Sequence, residues 1–317
     1  MSAVTHVERA SRVDGVLVVK KETGWTSHDV VAKIRNLLGG AKVGHAGTLD
    51  PAATGVLPVL VGSATRVAEY LVEWDKEYRA VMRLGETTDT QDATGTVQTR
   101  VDASGVPEDA IHRAIDQFRG RQRQLPPMYS AVKVAGRPLY KSARAGKTVE
   151  RQERHIVIHA LNVLDIAGRD VTLSVVCSKG TYIRTLCADI GESLGVGGHL
   201  LSLVRERVGP LSIDQALPIE RIAEQAGLGR LADHLIAVDQ VLERLPALVL
   251  TVQQAERVLH GGAVSPSGMG ELPSLPGRIS VRLKDESGRL LAIGTHVGGT
   301  SGAITIDKVL IQSQSLN

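Results

Sequence analysis

The residues that could carry chemistry are most concentrated between Lys42 and Leu57, in the run KVGHAGTLDPAATGVL. This run holds one histidine, His45, and one aspartate, Asp50, among glycines and other small residues that allow close backbone approach to a ligand. A carboxylate in such a place can act as a covalent nucleophile. Since Pro51 disfavours helical geometry at the preceding residue, Asp50 is predicted to lie in a turn ahead of a strand. The alternative is an Asp-Pro turn in which Asp50 only hydrogen-bonds its own backbone.

The pattern of elements around this run predicts an α+β fold. A buried strand is expected at 15–19, and a helix begins at Thr26 because Asp29 stands three residues later, in the spacing of a capping box. Further strands are predicted at 78–84, 95–99, 128–135, 156–166 and 171–177, and helices at 107–118, 138–145, 185–194 and 217–245. Because strands and helices do not alternate regularly, a mixed β-sheet fits better than a doubly wound sheet.

The texture of the sequence changes near Leu245, and 317 residues are enough for about two domains. Beyond this point one helix, 252–259, and three strand candidates, 279–283, 290–294 and 303–310, form a small β-rich module. We therefore divide the chain into a disordered tail at 1–12, a catalytic domain at 13–245 and a C-terminal domain at 246–317.

Positive charge is concentrated in one stretch, from Arg113 to Arg154. It carries eleven Lys and Arg against three Asp and Glu, whereas the rest of the chain carries 26 against 31. A basic stretch in a slightly acidic chain is typical of a polyanion-binding surface, although a solvated charged face has the same composition.

Several classes of protein are disfavoured by composition. No apolar run approaches the ~20 residues of a membrane span, and the first residues lack the apolar core of a signal peptide, so a cytoplasmic protein is expected. Two cysteines, Cys177 and Cys187, give neither a disulfide framework nor a zinc-binding spacing. The polar loop 87–94 carries Asp89 and Asp92, and we interpret it as a solvated turn rather than a metal site.

Five blocks in order give the chain a family resemblance. They are GVLVVKKETGWTSHDVV, KVGHAGTLDPAATGVLPVLVGSATR, DKEYRAVMRLGETTDTQDATG, LPPMYSAVKVAGRPLYKSARAG and CSKGTYIRTLCADIGESLG. Together they closely resemble the TruB family, the bacterial tRNA pseudouridine-55 synthases, over about residues 13–209. The C-terminal domain resembles a PUA-type RNA-binding module.

The resemblance implies an isomerase that detaches a T-loop uridine of tRNA at its N1–C1′ bond, turns the base and rejoins it through C5. It implies base flipping, no metal or redox cofactor, and tRNA as partner without a guide RNA; we expect a monomer. The implied catalytic residues are Asp50, its partner Arg184, and Tyr78, which lies against the target base and serves as acid or base. Which atom Asp50 attacks is left open. The implied substrate-binding residues are His45, Tyr78, Tyr182 and Leu203.

Part of the basic stretch resembles the family's clamp on the tRNA elbow. The candidate phosphate contacts are Arg119, Arg121, Arg123, Lys133, Arg137, Lys141, Arg144 and Lys147. Two positions depart from the family pattern: Glu22 replaces a proline after Lys21, and Val204 replaces an arginine before Arg205. Glu22 could loosen the loop that follows the first strand. Val204 leaves undecided which residues near Leu203 contact RNA.

Two other functions are compatible with the same residues. One is a tRNA-binding folding helper whose chemistry is secondary or lost, which the intact Asp50 segment disfavours. The other is an RNA-guided synthase in a protein complex, which the basic stretch disfavours because it fits stand-alone tRNA recognition.

Overall fold

The computed structural model describes residues 14–130, 132–134, 136–265, 278–297 and 302–311; the expected disordered tail lies outside these ranges. The strands are β1 (Gly15–Lys21), β2 (Val43–His45), β3 (Thr54–Val61), β4 (Lys76–Leu84), β5 (Glu86–Thr88), β6 (Val97–Arg100), β7 (Gly120–Gln124), β8 (Lys133–Val134), β9 (Arg137–Pro138), β10 (Arg154–Ala167), β11 (Asp170–Cys177), β12 (Gly198–Val208), β13 (Leu211–Ser212), β14 (Ala247–Val249), β15 (Arg278–Lys284), β16 (Leu290–Val297) and β17 (Ile304–Val309). The α-helices are α1 (Ser27–Leu37), α2 (Ala68–Val72), α3 (Glu108–Asp116), α4 (Leu139–Arg144), α5 (Ile183–Ser193), α6 (Ile219–Gly227), α7 (Val238–Val241) and α8 (Val252–Leu259), with 3-10 turns at Gly62–Val67, Ile213–Gln215 and Leu231–His234.

One mixed sheet forms the centre of the molecule, in the order β1-β3-β12-β4-β11-β10-β7, with β2 beside β3 and β13 beside β12. Its one parallel contact lies in the middle, where β12 runs beside β3 and pairs Arg205 with Gly55. Gly55 has a φ of +104°, and a Cβ there would lie 2.2 Å from the Arg205 carbonyl oxygen. Only glycine fits this approach, which brings the start of β3 against β12.

Local signals explain how the first helix forms. The Asp29 amide donates to the Thr26 hydroxyl at 3.1 Å, and the Thr26 amide donates to the Asp29 carboxylate at 2.9 Å. This reciprocal capping box confirms the predicted helix start. Val30, Val31 and Ile34 then form the buried face of α1 against β1 and β3.

The C-terminal sheet, in the order β14-β15-β16-β17, packs against the large domain instead of lying apart from it. Leu290, Ile293 and Leu310 belong to the same hydrophobic cluster as Leu71 and Val241. The cluster therefore extends from one sheet to the other. Polar contacts join the same interface, since Asp239 on α7 accepts hydrogen bonds from both Arg282 and Lys284 at 2.7 Å.

Two sequence predictions about secondary structure are wrong. The strand expected at 128–135 is reduced to Lys133–Val134, because the carbonyls of Ser130 and Val132 bind the first amides of α4 instead of a neighbouring strand. The helix expected at 217–245 is broken into α6, a 3-10 turn and α7, with Gly229 at a φ of +69° after α6.

Several strands were not predicted, among them two of the large sheet. The central strand β12 escapes the sequence pattern because two irregularities, after Leu200 and after Arg205, interrupt its alternation of buried and exposed side chains. The edge strand β7 reads GRQRQ and has almost no apolar residues to mark it.

Candidate active site

Asp50 and Arg184 form an ion pair at the middle of the large sheet. Asp50 lies on the loop between β2 and β3, and Arg184 is the second residue of α5. The Arg184 Nε lies 3.0 Å from Asp50 Oδ2. The side chain of Arg184 is only 5% exposed, whereas that of Asp50 is 43% exposed. The aspartate can therefore meet a substrate from one side while the guanidinium holds it from the other. The contact is between the two residues that the family resemblance pairs.

Burial and the surrounding positive charges have opposite effects on the pKa of Asp50. Burial raises the pKa of the Asp50 carboxyl above its ordinary value, and the negative charge of Asp92 adds to this rise. The positive charges of Arg184, Lys21 and Arg205 lower the same pKa. Because a carboxylate must be ionised to act as a nucleophile, these three cations favour its reactive form.

Arg184 is held in place by groups from two separate loops. Its Nη1 lies 3.3 Å from the Asp92 carboxylate and donates to the Thr90 carbonyl at 3.2 Å, and its Nη2 donates to the Tyr129 carbonyl at 2.9 Å. Its donors are thus distributed between Asp50 and this fixed frame. A planar, five-donor guanidinium suits such a frame better than an ammonium group does.

Asp92 corrects our interpretation of the loop between β5 and β6. It is 9% exposed and bound to a catalytic candidate, so it is not part of a solvated turn. Its Oδ1 accepts hydrogen bonds from the hydroxyls of Thr90 and Thr94 and from the Thr94 amide. Residue spacing gave no sign of this role, because Asp92 and Arg184 are brought together only by the tertiary fold.

Tyr182 stands two residues before Arg184 and is fixed through its backbone. The buried side chain of Gln124, at the end of β7, accepts from the Tyr182 amide at 2.7 Å and donates to the Tyr182 carbonyl at 3.0 Å. The side chain of Tyr182 is half-buried, and burial raises the pKa of its phenol. Gln124 was not singled out from the sequence. It links the end of β7, within the basic stretch, to the residue before α5.

Tyr78 lies on β4 and faces Arg205 of the neighbouring strand β12. It is 8% exposed, and burial raises its pKa to about 12. The nearby positive charge of Arg205 lowers the same pKa, but less than burial raises it. At neutral pH the phenol therefore remains protonated, which favours an acid or hydrogen-bond donor over a base among the roles expected for it.

His45 is the last residue of β2, and Leu203 lies on β12. The His45 ring packs edge-on against that of His28, with the ring centroids 5.4 Å apart. Burial lowers the pKa of His45 to about 4, so its imidazole is neutral at neutral pH. The backbone carbonyl of Leu203 accepts from the Thr54 hydroxyl at 3.5 Å, and its side chain packs partly against the main core.

Two further cations, Lys21 and Arg205, donate hydrogen bonds to backbone carbonyls of the Asp50 loop. Lys21 is fully buried and donates to the carbonyls of Trp25 at 2.7 Å and Pro51 at 3.2 Å, and burial lowers its pKa to about 8. The exposed Glu22 offers Lys21 only its backbone carbonyl. Its departure from the family pattern therefore leaves this anchor intact. Arg205 is also buried, so it is not available to RNA at the surface.

The eight basic candidates for RNA contact are all exposed. Three of them already contact other groups of the protein. Arg119 donates to the Leu161 carbonyl and pairs with Asp116, Arg123 pairs with Glu153 at 3.0 Å, and the Arg144 guanidinium lies 5.6 Å from the centroid of the Tyr140 ring. The other five lie on β7, on the hairpin and helix that follow it, or just beyond that helix: Arg121, Lys133, Arg137, Lys141 and Lys147.

Within the described ranges, no group of three or more His, Cys, Asp and Glu residues could hold a metal ion. None of the helices described is both long enough and apolar enough to cross a membrane.

Comparison with known proteins shows the family of the chain. The family model for the N-terminal domain of TruB family pseudouridylate synthases matches residues 35–183, and the model for the tRNA pseudouridylate synthase B C-terminal domain matches 184–244. A protein named tRNA pseudouridine synthase B from Thermobifida fusca is 43% identical over 301 residues, which cover 92% of this chain and 98% of the relative. Another of that name, from Geobacter sulfurreducens, is 49% identical over 249 residues, covering 78% and 82%.

Solved structures share the architecture. A Cbf5-Nop10-Gar1 complex contains a chain with a TM-score of 0.75 and 30% identity, covering 95% of this chain and 86% of that one. An H/ACA ribonucleoprotein bound to a substrate RNA gives a TM-score of 0.71 at 28% identity, covering 94% and 85%.

The fold and the site define an isomerase of the pseudouridine synthase class, with a mixed α+β catalytic fold and a small C-terminal β domain. Within that class, the chain belongs to the TruB family of pseudouridylate synthases.

Proposed function

We propose that this chain converts uridine 55 in the T-loop of tRNA to pseudouridine. The reaction is an isomerisation: the N1–C1′ bond breaks, a C5–C1′ bond forms, the proton on C5 is lost and N1 ends protonated. The observation that carries the proposal is the Asp50–Arg184 pair, which offers a partly exposed carboxylate backed by a buried guanidinium. The names of relatives at 43% and 49% identity support tRNA as the substrate.

The target uracil is proposed to leave the base stack before it reacts. A base within a folded loop is inaccessible to a carboxylate on the enzyme, so it must be extruded into a pocket that replaces the lost stacking. Tyr78 and Tyr182 lie near enough to Asp50 for its charge to act on both phenols. With the neutral ring of His45 and the side chain of Leu203, they supply flat and apolar surfaces for the base and its neighbours.

The direct test is incubation of the purified chain with an unmodified tRNA transcript and no other component, followed by mapping of pseudouridine. We expect one modified position, 55, and no product from a transcript that carries cytidine there. Product at another position would contradict the assignment of the site. A requirement for a second RNA or a partner protein would favour the RNA-guided alternative.

The exposed cations after β7 are proposed to bind the phosphates of the tRNA elbow, and the C-terminal domain to bind RNA as a PUA-like module. Replacing Lys141, Arg144 and Lys147 together by alanine should weaken tRNA binding, since each phosphate that a cation neutralises releases condensed counterions. A plot of log affinity against log salt should become shallower by about 0.7–0.9 for each phosphate that is no longer neutralised. Turnover at saturating tRNA should change far less, because Asp50 is untouched.

The matched control replaces the exposed Lys33, Arg221 and Arg230, which lie on or beside helices α1 and α6 of the catalytic domain, by alanine. This control removes the same formal charge and should leave the slope closer to that of the parent. If the triple variant in the basic stretch keeps the parental slope, its three cations contact only water. The clamp would then have to lie elsewhere, most simply on the C-terminal domain.

A further inference from the structure

Arg205 is a large charged side chain at the centre of the protein that the mechanism described so far does not use. It lies in β12, between Gly55 of β3 and Tyr78 of β4, and is 1% exposed. Such complete burial of an arginine is rare unless a carboxylate accompanies it. Among the described residues, however, Arg205 forms no ion pair within 4.0 Å.

Its donors are directed at the loop that carries Asp50. Nη2 donates to the Gly47 carbonyl at 2.9 Å and Nη1 to the Thr48 carbonyl at 3.3 Å, both ahead of Asp50. Nε donates to the Val56 carbonyl at 2.8 Å, beyond it. One rigid guanidinium thus bridges both ends of the catalytic loop. Tyr78 is the cross-strand neighbour of Arg205 on β4, and the two groups influence each other electrostatically.

Uncharged groups could satisfy carbonyl acceptors at a lower desolvation cost than a buried cation. The charge of Arg205 therefore calls for an explanation beyond folding. Asp50 is the carboxylate that its charge influences, and the two groups shift each other's pKa toward the charged forms. Arg205 therefore affects Asp50 in two ways: its hydrogen bonds hold the loop that carries Asp50, and its positive charge acts on the Asp50 carboxylate.

We propose that Arg205 is a positioning residue of the active site, which holds the Asp50 loop in place beside Tyr78 and supplies positive charge behind Asp50. This inference rests on the proposed function. It separates two contributions that can be tested independently: the geometry, which requires the three-armed guanidinium, and the charge, which any cation at this place would provide.

The charge contribution predicts a pH effect of defined sign. The charged groups that act on Asp50 are Arg184 on α5, Lys21 on β1, Asp92 between β5 and β6, and Arg205 on β12. The titratable phenols nearby are those of Tyr78 on β4 and Tyr182 before α5, on which the charge of Asp50 acts. Removing the positive charge of Arg205 raises the pKa of Asp50. More of the enzyme then carries a protonated, unreactive Asp50 at low pH, so the acid limb of the rate profile moves to higher pH.

The experiment compares Arg205→Lys and Arg205→Gln with the parent by single-turnover rates at saturating tRNA transcript, between about pH 5 and 8. Arg205→Lys should lower the rate by about tenfold to a hundredfold, because the loop is no longer held at three points. It should keep the acid midpoint of the parent and bind tRNA within about threefold of it. Arg205→Gln should lose more rate and move the midpoint upward.

The control is Arg207→Lys, two residues along the same strand, where an exposed arginine pairs with Glu77. It should behave as the parent does. A folded Arg205→Lys variant with the parental rate would overturn the positioning role, and an unshifted midpoint in Arg205→Gln would overturn the contribution of charge. If neither Arg205 variant folds, Arg205 serves folding and the proposal fails. A parent without activity on tRNA would instead refute the proposed function.

Discussion

Asp50→Asn should abolish pseudouridine formation while tRNA binding persists. The substitution keeps the volume and one oxygen of the side chain but removes the negative charge and the nucleophile. Loss of a residue that engages the substrate covalently should cost at least about a thousandfold in single-turnover rate. The dissociation constant should remain near that of the parent, because the basic stretch and the walls of the pocket are unchanged.

The structure makes this substitution a clean test. Asp50 is the partly exposed member of its ion pair, so the amide still accepts a hydrogen bond from Arg184, which keeps its other contacts with Asp92, Thr90 and Tyr129. Thermal unfolding of the variant checks that the fold is retained. Activity within about tenfold of the parent would contradict the assignment of Asp50. Unchanged binding without activity would also separate catalysis from any role in tRNA folding.

The segments with strong local signals were predictable from sequence. The capping box at Thr26 and Asp29 fixed the start of α1, and helix α8 appears at the predicted residues, Val252–Leu259. The hairpin of β10 and β11 follows from two runs of alternating residues joined by a short turn. In each case the pattern lies within about a dozen residues, so it does not depend on the rest of the fold.

The frame around the active site was not predictable in the same way. The Asp50–Arg184 contact was anticipated from a family resemblance and not from spacing, since 134 positions along the chain separate the two residues. Asp92 looked like one of several acids in a polar loop until the fold brought it to Arg184. The sequence did not single out Arg205, because its strand, β12, has irregular alternation and no local sign of its central position.

Arg184→Lys should be nearly as damaging to catalysis as Arg184→Ala. The guanidinium of Arg184 reaches Asp50, Asp92 and the carbonyls of Thr90 and Tyr129 at once. A lysine ammonium is a point charge that cannot reproduce this planar set of donors. We expect a rate loss of about a hundredfold or more for alanine, and recovery of less than about tenfold by lysine. Single-turnover rates at saturating tRNA measure both.

The lysine variant is the more informative of the two, because Arg184→Ala also leaves Asp92 as a buried charge without its partner. Breaking such a pair destabilises a protein by about 3–5 kcal/mol, so Arg184→Ala can lose activity through partial unfolding alone. Asp92→Asn serves as the companion variant. It keeps Asp50 and Arg184 but replaces one anchor of the guanidinium by a neutral amide, and it should lower the rate less than Arg184→Lys does. Full activity of Arg184→Lys would show that charge alone is sufficient and that the observed geometry of the pair is not required.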